Sequence, residues 1–209
     1  MRDKIRKINR DLEYICQNIT EAIVAMSWLE IIAVIFGLLS VWYAKKENIL
    51  VFPTGIISVL IYVYICFQFK LYADMAINGY YFIMSIYGWI LWSSKRDNTL
   101  IPISQNTYKE NSLFAGLFVL LFFVMQLVLK TYTDSDVPYW DSLTSALFLL
   151  AMILMARKKI EHWLFWISGD LISIPLYAYK GLYLTSFQYL VFLGIAIAGY
   201  IEWHKKTHN

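Results

Sequence analysis

Long apolar stretches separated by short polar turns dominate the pattern of hydrophobic and polar positions along the chain. Each is about as long as the roughly 17–25 residues that a helix needs to cross the hydrocarbon core of a bilayer. The shorter segments of alternating polarity that are typical of a membrane β-barrel do not occur. We therefore predict an all-α integral membrane protein with seven transmembrane helices, at residues 28–44, 49–69, 72–92, 113–129, 140–156, 160–179 and 182–203.

Residues 1–27 differ from these stretches. The first ten residues are rich in Lys and Arg, and residues 11–27 then carry apolar side chains at helical spacing. This pattern predicts a basic tail followed by an amphipathic helix that lies on the membrane surface. The alternative is an eighth, weakly hydrophobic crossing, against which the polar Asn18 and Glu21 argue.

An internal repeat relates the two ends of this helical region. The segment from Lys70 to Trp92 aligns without a gap with the segment from Gly181 to Trp203, at an offset of 111 residues. Upstream, the Ala-Lys-Lys at 44–46 matches the Ala-Arg-Lys at 156–158, at an offset of 112.

The repeat predicts two parallel three-helix units joined by one helix, a 3+1+3 arrangement. Parallel repeats of this kind are typical of transporters. The predicted divisions follow the basic and amphipathic segment 1–27: a first repeat at 28–92, loops and a linker helix at 93–139, a second repeat at 140–203 and a tail at 204–209.

Composition agrees with the membrane assignment. Hydrophobic residues make up 59% of the chain and charged residues 16%, whereas soluble domains average about 45–50% and about 25%. Cys16 and Cys66 are too few for a disulfide framework, and we expect both to be free thiols. The net charge of +3 gives no indication of a nucleic-acid partner.

The distribution of Lys and Arg predicts an orientation. With seven crossings, ten basic residues of the loops and C-terminal tail fall on one side and three on the other. The positive-inside rule then places the C-terminus in the cytoplasm, as in a multi-pass protein of a cell membrane. The basic N-terminal tail would lie on the opposite side, so its position stays open.

Trp163, Trp166 and Asp170 are spaced so that they project from one face of the sixth predicted helix. Two indoles there can stack on a flat ring, and they favour a cationic one. A carboxylate that deep in the membrane costs about 2.5–3.5 kcal/mol and normally faces a cavity or a partner. The alternative for the two tryptophans is an interfacial anchor.

Polar side chains also mark the third and seventh predicted helices. Asp74, Asn78 and Tyr81 share one stripe, and Gln188 and Tyr189 occupy the seventh helix. We predict that they complete a substrate site with Asp170. Asp74 could instead be an acidic residue favoured at a helix start, and Gln188 could join helices through its amide.

The sequence favours no enzymatic chemistry. His162, His204 and His208 lie near helix ends without the spacing of metal ligands. No phosphate-binding glycine loop and no nucleophile elbow is present. We therefore expect no catalytic residue, no metal and no cofactor.

Several motifs resemble the PnuC family of vitamin transporters. The first repeat carries Phe-Pro-Thr-Gly at 52–55, Leu-Tyr-Ala-Asp at 71–74 and Tyr-Gly-Trp at 87–89. The second carries Trp-Leu-Phe-Trp at 163–166, Ile-Pro-Leu-Tyr at 174–177 and Lys-Gly-Leu-Tyr at 180–183. The resemblance covers about residues 28–203, nearly the whole chain except both tails.

The resemblance implies uptake of nicotinamide riboside by facilitated diffusion across a bacterial inner membrane, with trapping by phosphorylation in the cytoplasm. It also implies a fold similar to the SWEET sugar transporters and a homotrimer. The family's Trp-x-x-Trp motif contributes to the substrate site and maps onto Trp163 and Trp166. Since no buried Arg or Lys is evident for a phosphate, the riboside suits the chain better than its nucleotide.

Three alternatives stay open. Other relatives in the family carry thiamine or riboflavin, and thiamine is also a flat cation that tryptophans and a carboxylate would suit. A membrane sensor or scaffold without transport is a second alternative, although it gives the repeat and Asp170 no obvious use. An intramembrane enzyme is the third, and it would need a reactive group.

Overall fold

The computed structural model describes residues 13–14, 16–21, 28–96 and 99–208. From Trp28 onward these residues form long helices, with a hairpin of two-residue strands, β1 (Lys95–Arg96) and β2 (Thr99–Leu100), between the third and fourth. The helices are α1 (Trp28–Lys45), α2 (Val51–Gln68), α3 (Tyr72–Ser93), α4 (Tyr108–Tyr132), α5 (Pro138–Ala156), α6 (His162–Tyr179) and α7 (Tyr183–His208). All seven predicted stretches are helical.

Five of these helices are long and apolar enough to span a membrane: α1, α2, α4, α5 and α7. Helices are suited to this environment because they satisfy their backbone groups internally. The two less apolar helices are α3, which carries Asp74 and Asn78, and α6, which carries His162 and Asp170. Asp74, Asn78 and Asp170 are among the residues predicted to bind a substrate.

Helix α4 is longer than predicted at both ends. It begins at Tyr108 because Thr107 and Glu110 form a capping box, in which each residue satisfies a backbone N–H of the other. An ion pair from Lys159 to Glu110, 2.9 Å long, fastens this end of α4 to the α5–α6 turn. Polar capping therefore extends a helix beyond the stretch that hydrophobicity marks.

The helices pack as two triplets. Helices α1, α2 and α3 contact one another in sequence order, as do α5, α6 and α7. Between the triplets, α1 contacts α7 and α3 contacts α5, so exchanging the triplets reproduces the same pattern. Helix α5 is the most buried element, and α4 packs against its outer side.

The turns repeat with the same period as the helices. Glu47 and Lys158 both have a positive φ, at 56° and 53°, and end the first helix of each triplet with matching backbone hydrogen bonds. Lys70 and Gly181 do the same after the second helix, at 59° and 75°. Both pairs are 111 residues apart, so the upstream offset of 112 taken from the sequence was wrong. The similar residues at 44–46 and 156–158 occupy different positions of the turn.

Two buried tryptophans tie the triplets together reciprocally. The indole N–H of Trp92 donates to the backbone carbonyl of Met155, at 3.3 Å, and that of Trp203 donates to the carbonyl of Ala44, at 3.1 Å. Each indole N–H therefore finds its acceptor at the end of the first helix of the other triplet, on a carbonyl that also accepts a backbone N–H of the turn. The two rings lie 6.0 Å apart.

The described part of the N-terminal segment is helical at residues 16–21. The ring of Tyr14 contacts Tyr183, the first residue of α7, at 6.3 Å between centroids. Tyr183 and Trp28 both lie at the end of the bundle opposite Lys45 and Trp203. That this segment lies on the membrane surface, and not across it as an eighth crossing, stays a prediction. The five basic residues at 2–10 lie outside the described residues.

We predict that Gly199→Ala destabilises the protein. A Cβ atom at position 199 would lie 2.5 Å from the ring of Trp163, which is enclosed by His162 and Trp203 and cannot move aside. The expected result is a lower melting temperature in detergent, with a free-energy loss of about 1–3 kcal/mol from overpacking.

Gly194→Ala is the matched control on the same helix, because nothing lies within 4 Å of its added Cβ. It should leave the melting temperature unchanged or raise it, since alanine is the better helix former. Equal melting temperatures for the two variants would contradict the packing described here.

Candidate functional site

A cavity of about 560 Å³ lies between the two triplets. Its size is within the range of roughly 300–1,000 Å³ that is typical of small-molecule sites. The cavity extends from Ala44, Phe52 and Trp163 at one end to Leu71 and Asp74 at the other. The first three are at most 2% exposed, whereas Leu71 and Asp74 are exposed, so the cavity opens toward the α2–α3 turn.

All the predicted site residues line this cavity. They come from three helices, α3, α6 and α7, and are Asp74, Asn78, Tyr81, Trp163, Trp166, Asp170, Gln188 and Tyr189. The helical stripes account for this result. Residues three, four and seven positions apart lie on one helix face, and the face of each of these helices that carries the predicted residues is turned toward the cavity.

Four near-parallel rings form one wall, here called the aromatic column: Trp166, Phe148, Tyr189 and Tyr177. Phe148 stacks on Trp166 at 5.3 Å and on Tyr189 at 5.8 Å, with interplanar angles of 28° and 5°. Tyr177 stacks on Tyr189 at 5.1 Å and 23°. All four rings line the cavity, and Trp166 and Tyr177 are the two end rings of the column.

The centre of the aromatic column depends on a glycine. Gly169 lies on α6 beneath the ring of Phe148, and a Cβ atom at this position would overlap the ring. The absence of a side chain thus lets α5 approach α6 closely enough for Phe148 to reach between Trp166 and Tyr189. Gly169 positions the wall without itself offering a ligand contact.

The two tryptophans of the Trp-x-x-Trp motif occupy different environments. Trp163 is 1% exposed and packs at the closed end against His162 and Trp203, at 4.3 Å and 5.8 Å between centroids. Trp166 is only partly buried and belongs to the aromatic column. Trp166 is therefore the better placed to stack on a ligand, while Trp163 forms the floor of the cavity.

The electrostatic character of the cavity comes from two carboxylates. Asp170 is 2% exposed, and no hydrogen bond or ion pair joins its carboxylate to the described part of the chain. Asp74 lies at the open end. Among the described residues that line the cavity there is no Lys or Arg. A buried carboxylate without a partner is costly in a membrane, and a cationic ligand would provide that partner.

Polar groups without charge complete the lining. The side-chain amide of Asn78 donates to the backbone carbonyl of Asp74 at 2.9 Å, so its oxygen is left to accept a hydrogen bond. Gln188 and Tyr81 also line the cavity and can donate or accept. Amides and hydroxyls of this kind are suited to a sugar or another neutral polar group.

Sequence reasoning missed two members of the aromatic column. Tyr177 continues the stripe of Trp163, Trp166 and Asp170 at helical spacing, and extending that stripe by two turns would have found it. Phe148 gave no signal, because α5 is apolar on all faces from Ala146 to Ala156 and its buried positions there look alike in sequence.

The chain is similar to known membrane transporters. A family model described as "Nicotinamide mononucleotide transporter" matches residues 27–205. The "Nicotinamide riboside transporter PnuC" of Escherichia coli (strain K12) is 30% identical over 204 residues, which cover 85% of each chain. The protein of the same name from Neisseria mucosa is 27% identical, with 88% of this chain and 75% of the relative covered.

A solved structure shares the fold. The chain described as "Crystal structure of the Vitamin B3 transporter PnuC" superposes with a TM-score of 0.71 and 25% sequence identity. The match covers 94% of this chain and 89% of that chain, so the helices of the bundle correspond over nearly the whole length.

Proposed function

Because the chain belongs to the nicotinamide mononucleotide transporter family, whose members are membrane transporters and not enzymes, we propose that its own cargo is nicotinamide riboside. The observation that carries the proposal is the pairing of an aromatic wall with an unpartnered buried carboxylate, Asp170. Nicotinamide riboside has a flat pyridinium cation and a neutral ribose. The pyridinium would stack on Trp166 near Asp170, and the ribose would bind the amides and hydroxyls.

The mononucleotide suits the cavity less well, although the family description names it. Its phosphate adds negative charge and would need a cationic partner or several N–H donors. The charged residues of the described lining are Asp74 and Asp170, both acidic. Two carboxylates favour a cation and repel a phosphate, which supports the riboside as the cargo.

The proposed architecture is the 3+1+3 arrangement of seven transmembrane helices, with α4 as the linker between repeats 28–92 and 140–203. The reciprocal contacts of α1 with α7 and of α3 with α5 support it, as does the common period of 111 residues in the turns. A site between two such repeats can be exposed to either side by rocking of one repeat against the other.

The setting that we propose is a bacterial inner membrane with the C-terminus in the cytoplasm. The excess of Lys and Arg at the end of the bundle that holds Lys45, Arg157 and Lys205 supports this orientation. Transport would be facilitated diffusion, made one-way when the cell phosphorylates the riboside. By family resemblance, the transporter would assemble as a homotrimer.

Calorimetric titration of the purified protein tests the cargo directly. We expect nicotinamide riboside to bind tightly, and thiamine and nicotinamide mononucleotide to bind at least tenfold more weakly, which is about 1.4 kcal/mol in each case. Tighter binding of thiamine would leave the transporter assignment intact but replace the cargo. Tighter binding of the mononucleotide would contradict the electrostatic argument.

We predict that Trp166→Ala weakens binding of the riboside by tenfold or more, because stacking of a planar ring on an aromatic side chain contributes about 1–3 kcal/mol. Calorimetry measures the loss, and the melting temperature shows whether the variant is folded. Trp89→Ala is the matched control, since Trp89 is 41% exposed and does not line the cavity. Equal affinities of the two variants would remove Trp166 from the site.

Asp170→Asn keeps the shape of the side chain but removes its charge. We expect it to weaken the cationic riboside more than reduced nicotinamide riboside, a neutral analogue with the same sugar. Both ligands are titrated against wild type and variant. Equal losses for the two ligands would mean that Asp170 has a structural role in the bundle and does not pair with the pyridinium.

A further inference from the structure

The end of the cavity nearest the C-terminus is closed by three layers of side chains. Phe52 and Trp163 form the cavity floor. Trp92 and Trp203 lie directly below, in edge contact with Phe52 and Trp163 at 5.1 Å and 5.8 Å between centroids. These four rings are at most 3% exposed, so they separate the cavity from the water at this end.

The third layer is an ion pair between the two triplets. The ammonium of Lys158 lies 2.9 Å from the carboxylate of Glu47 and 4.6 Å from the ring centroid of Trp92. Lys158 is only 4% exposed. The two residues are 111 positions apart, so they occupy equivalent places in the two turns and meet where the triplets face each other.

The carboxyl group of this pair is ionised at neutral pH. Burial raises the pKa of the Glu47 carboxyl, but hydrogen bonds from Lys158 and Lys206 outweigh that effect, and its pKa lies below the ordinary value. A charged pair shielded from water is hard to separate unless water enters, because each ion then needs a new partner.

The two turns are held differently. Backbone hydrogen bonds fasten the α5–α6 turn to the loop between β2 and α4. The N–H of Ser104 donates to the carbonyl of Lys158, and the carbonyl of Ser104 accepts from the N–H of Ile160, each at 3.0 Å. Among the described residues, the backbone-to-backbone hydrogen bonds of the α1–α2 turn are all local. Beyond these, the α1–α2 turn is held by Glu47 and by the indole of Trp203. The α1–α2 turn therefore has fewer backbone hydrogen bonds to the rest of the protein than the α5–α6 turn.

Buried polar groups beside these layers lack partners in the closed arrangement. Both ring nitrogens of His162 and the indole N–H of Trp163 are buried without a hydrogen bond. His162 packs on Trp203 at 4.7 Å. A buried polar group without a hydrogen bond raises the free energy of the folded state. Water that entered an opened end would hydrogen-bond to these groups, and this would offset part of the free energy needed to separate the ion pair.

We propose that Glu47, Lys158, Trp92 and Trp203 form a gate that closes the C-terminal end of the cavity and opens when the α1–α2 turn moves away from Lys158. The role of this gate in transport depends on the function proposed above. The open end at Asp74 and the closed end at Lys158 are then the two exits of the cavity, and the structure represents the state that is open only at the first.

Cysteine labelling tests the gate. Ala196 is 1% exposed and lines the cavity on α7, so Ala196→Cys places a thiol behind the gate. The background replaces Cys16 and Cys66 by Ser and Ala, since both are free thiols. A membrane-impermeant maleimide is applied to sealed vesicles whose C-terminal side faces the reagent, as verified by protease cleavage of the C-terminal tail.

In this background Glu47→Gln should raise the labelling rate of the thiol introduced at position 196 at least severalfold, because it leaves Lys158 without its ion pair. Lys206→Gln is the matched control: Lys206 also pairs with Glu47, but it is 41% exposed, and exposed ion pairs contribute little to stability. Its labelling rate should stay near that of the background protein. Trp203→Phe keeps an aromatic ring but loses the N–H that holds the α1–α2 turn, and it should also raise labelling.

Unchanged labelling in both Glu47→Gln and Trp203→Phe would overturn the proposal. If Glu47→Gln does not fold, as judged by gel filtration and melting temperature, Trp203→Phe decides the question alone. Labelling requires no ligand, so a failure of the riboside to bind in calorimetry would refute the cargo while leaving the result on the gate intact. Equal increases for Lys206→Gln and Glu47→Gln would also contradict a gate centred on Lys158.

Discussion

The structure depends on reciprocal satisfaction of buried polar groups between its two helix triplets. Lipid offers no hydrogen bonds, so a buried indole N–H must find its acceptor within the protein. Trp92 and Trp203 find theirs across the triplet boundary, each donating from the last helix of one triplet to the first helix of the other. The same boundary carries the Glu47–Lys158 pair, and the cavity lies directly above it.

This arrangement makes one end of the bundle tight and leaves the other end able to admit a ligand. Three layers close the tight end: Phe52 and Trp163, then Trp92 and Trp203, then the Glu47–Lys158 ion pair. At the open end, Asp74 is exposed, and the nearby Lys180 pairs with Asp141 at 2.7 Å. The cavity between them has an aromatic wall and two carboxylates, which is the combination that a flat cation needs.

Much of the site was predictable because lipid restricts where polar side chains can go. A polar stripe on a helix in such a bundle favours a cavity or a partner, and spacing alone placed Asp74, Asn78 and Tyr81 on one face of α3 and Trp166 and Asp170 on one face of α6, all of which line the cavity. Phe148 escaped prediction because an apolar ring is compatible with lipid, core and cavity alike. The different roles of Trp163 and Trp166 escaped it too, since both satisfy the same helical spacing.

The sequence by itself determined the membrane class, the positions of the helices, the internal repeat and the faces that carry the site. Each follows from local rules: the length of an apolar stretch, helical periodicity and similarity between segments. Only the tertiary structure decided the true register of the repeat in the turns, the Glu47–Lys158 pair and the insertion of Phe148 over Gly169. These features join residues far apart in the chain, and no local pattern specifies which distant partners meet.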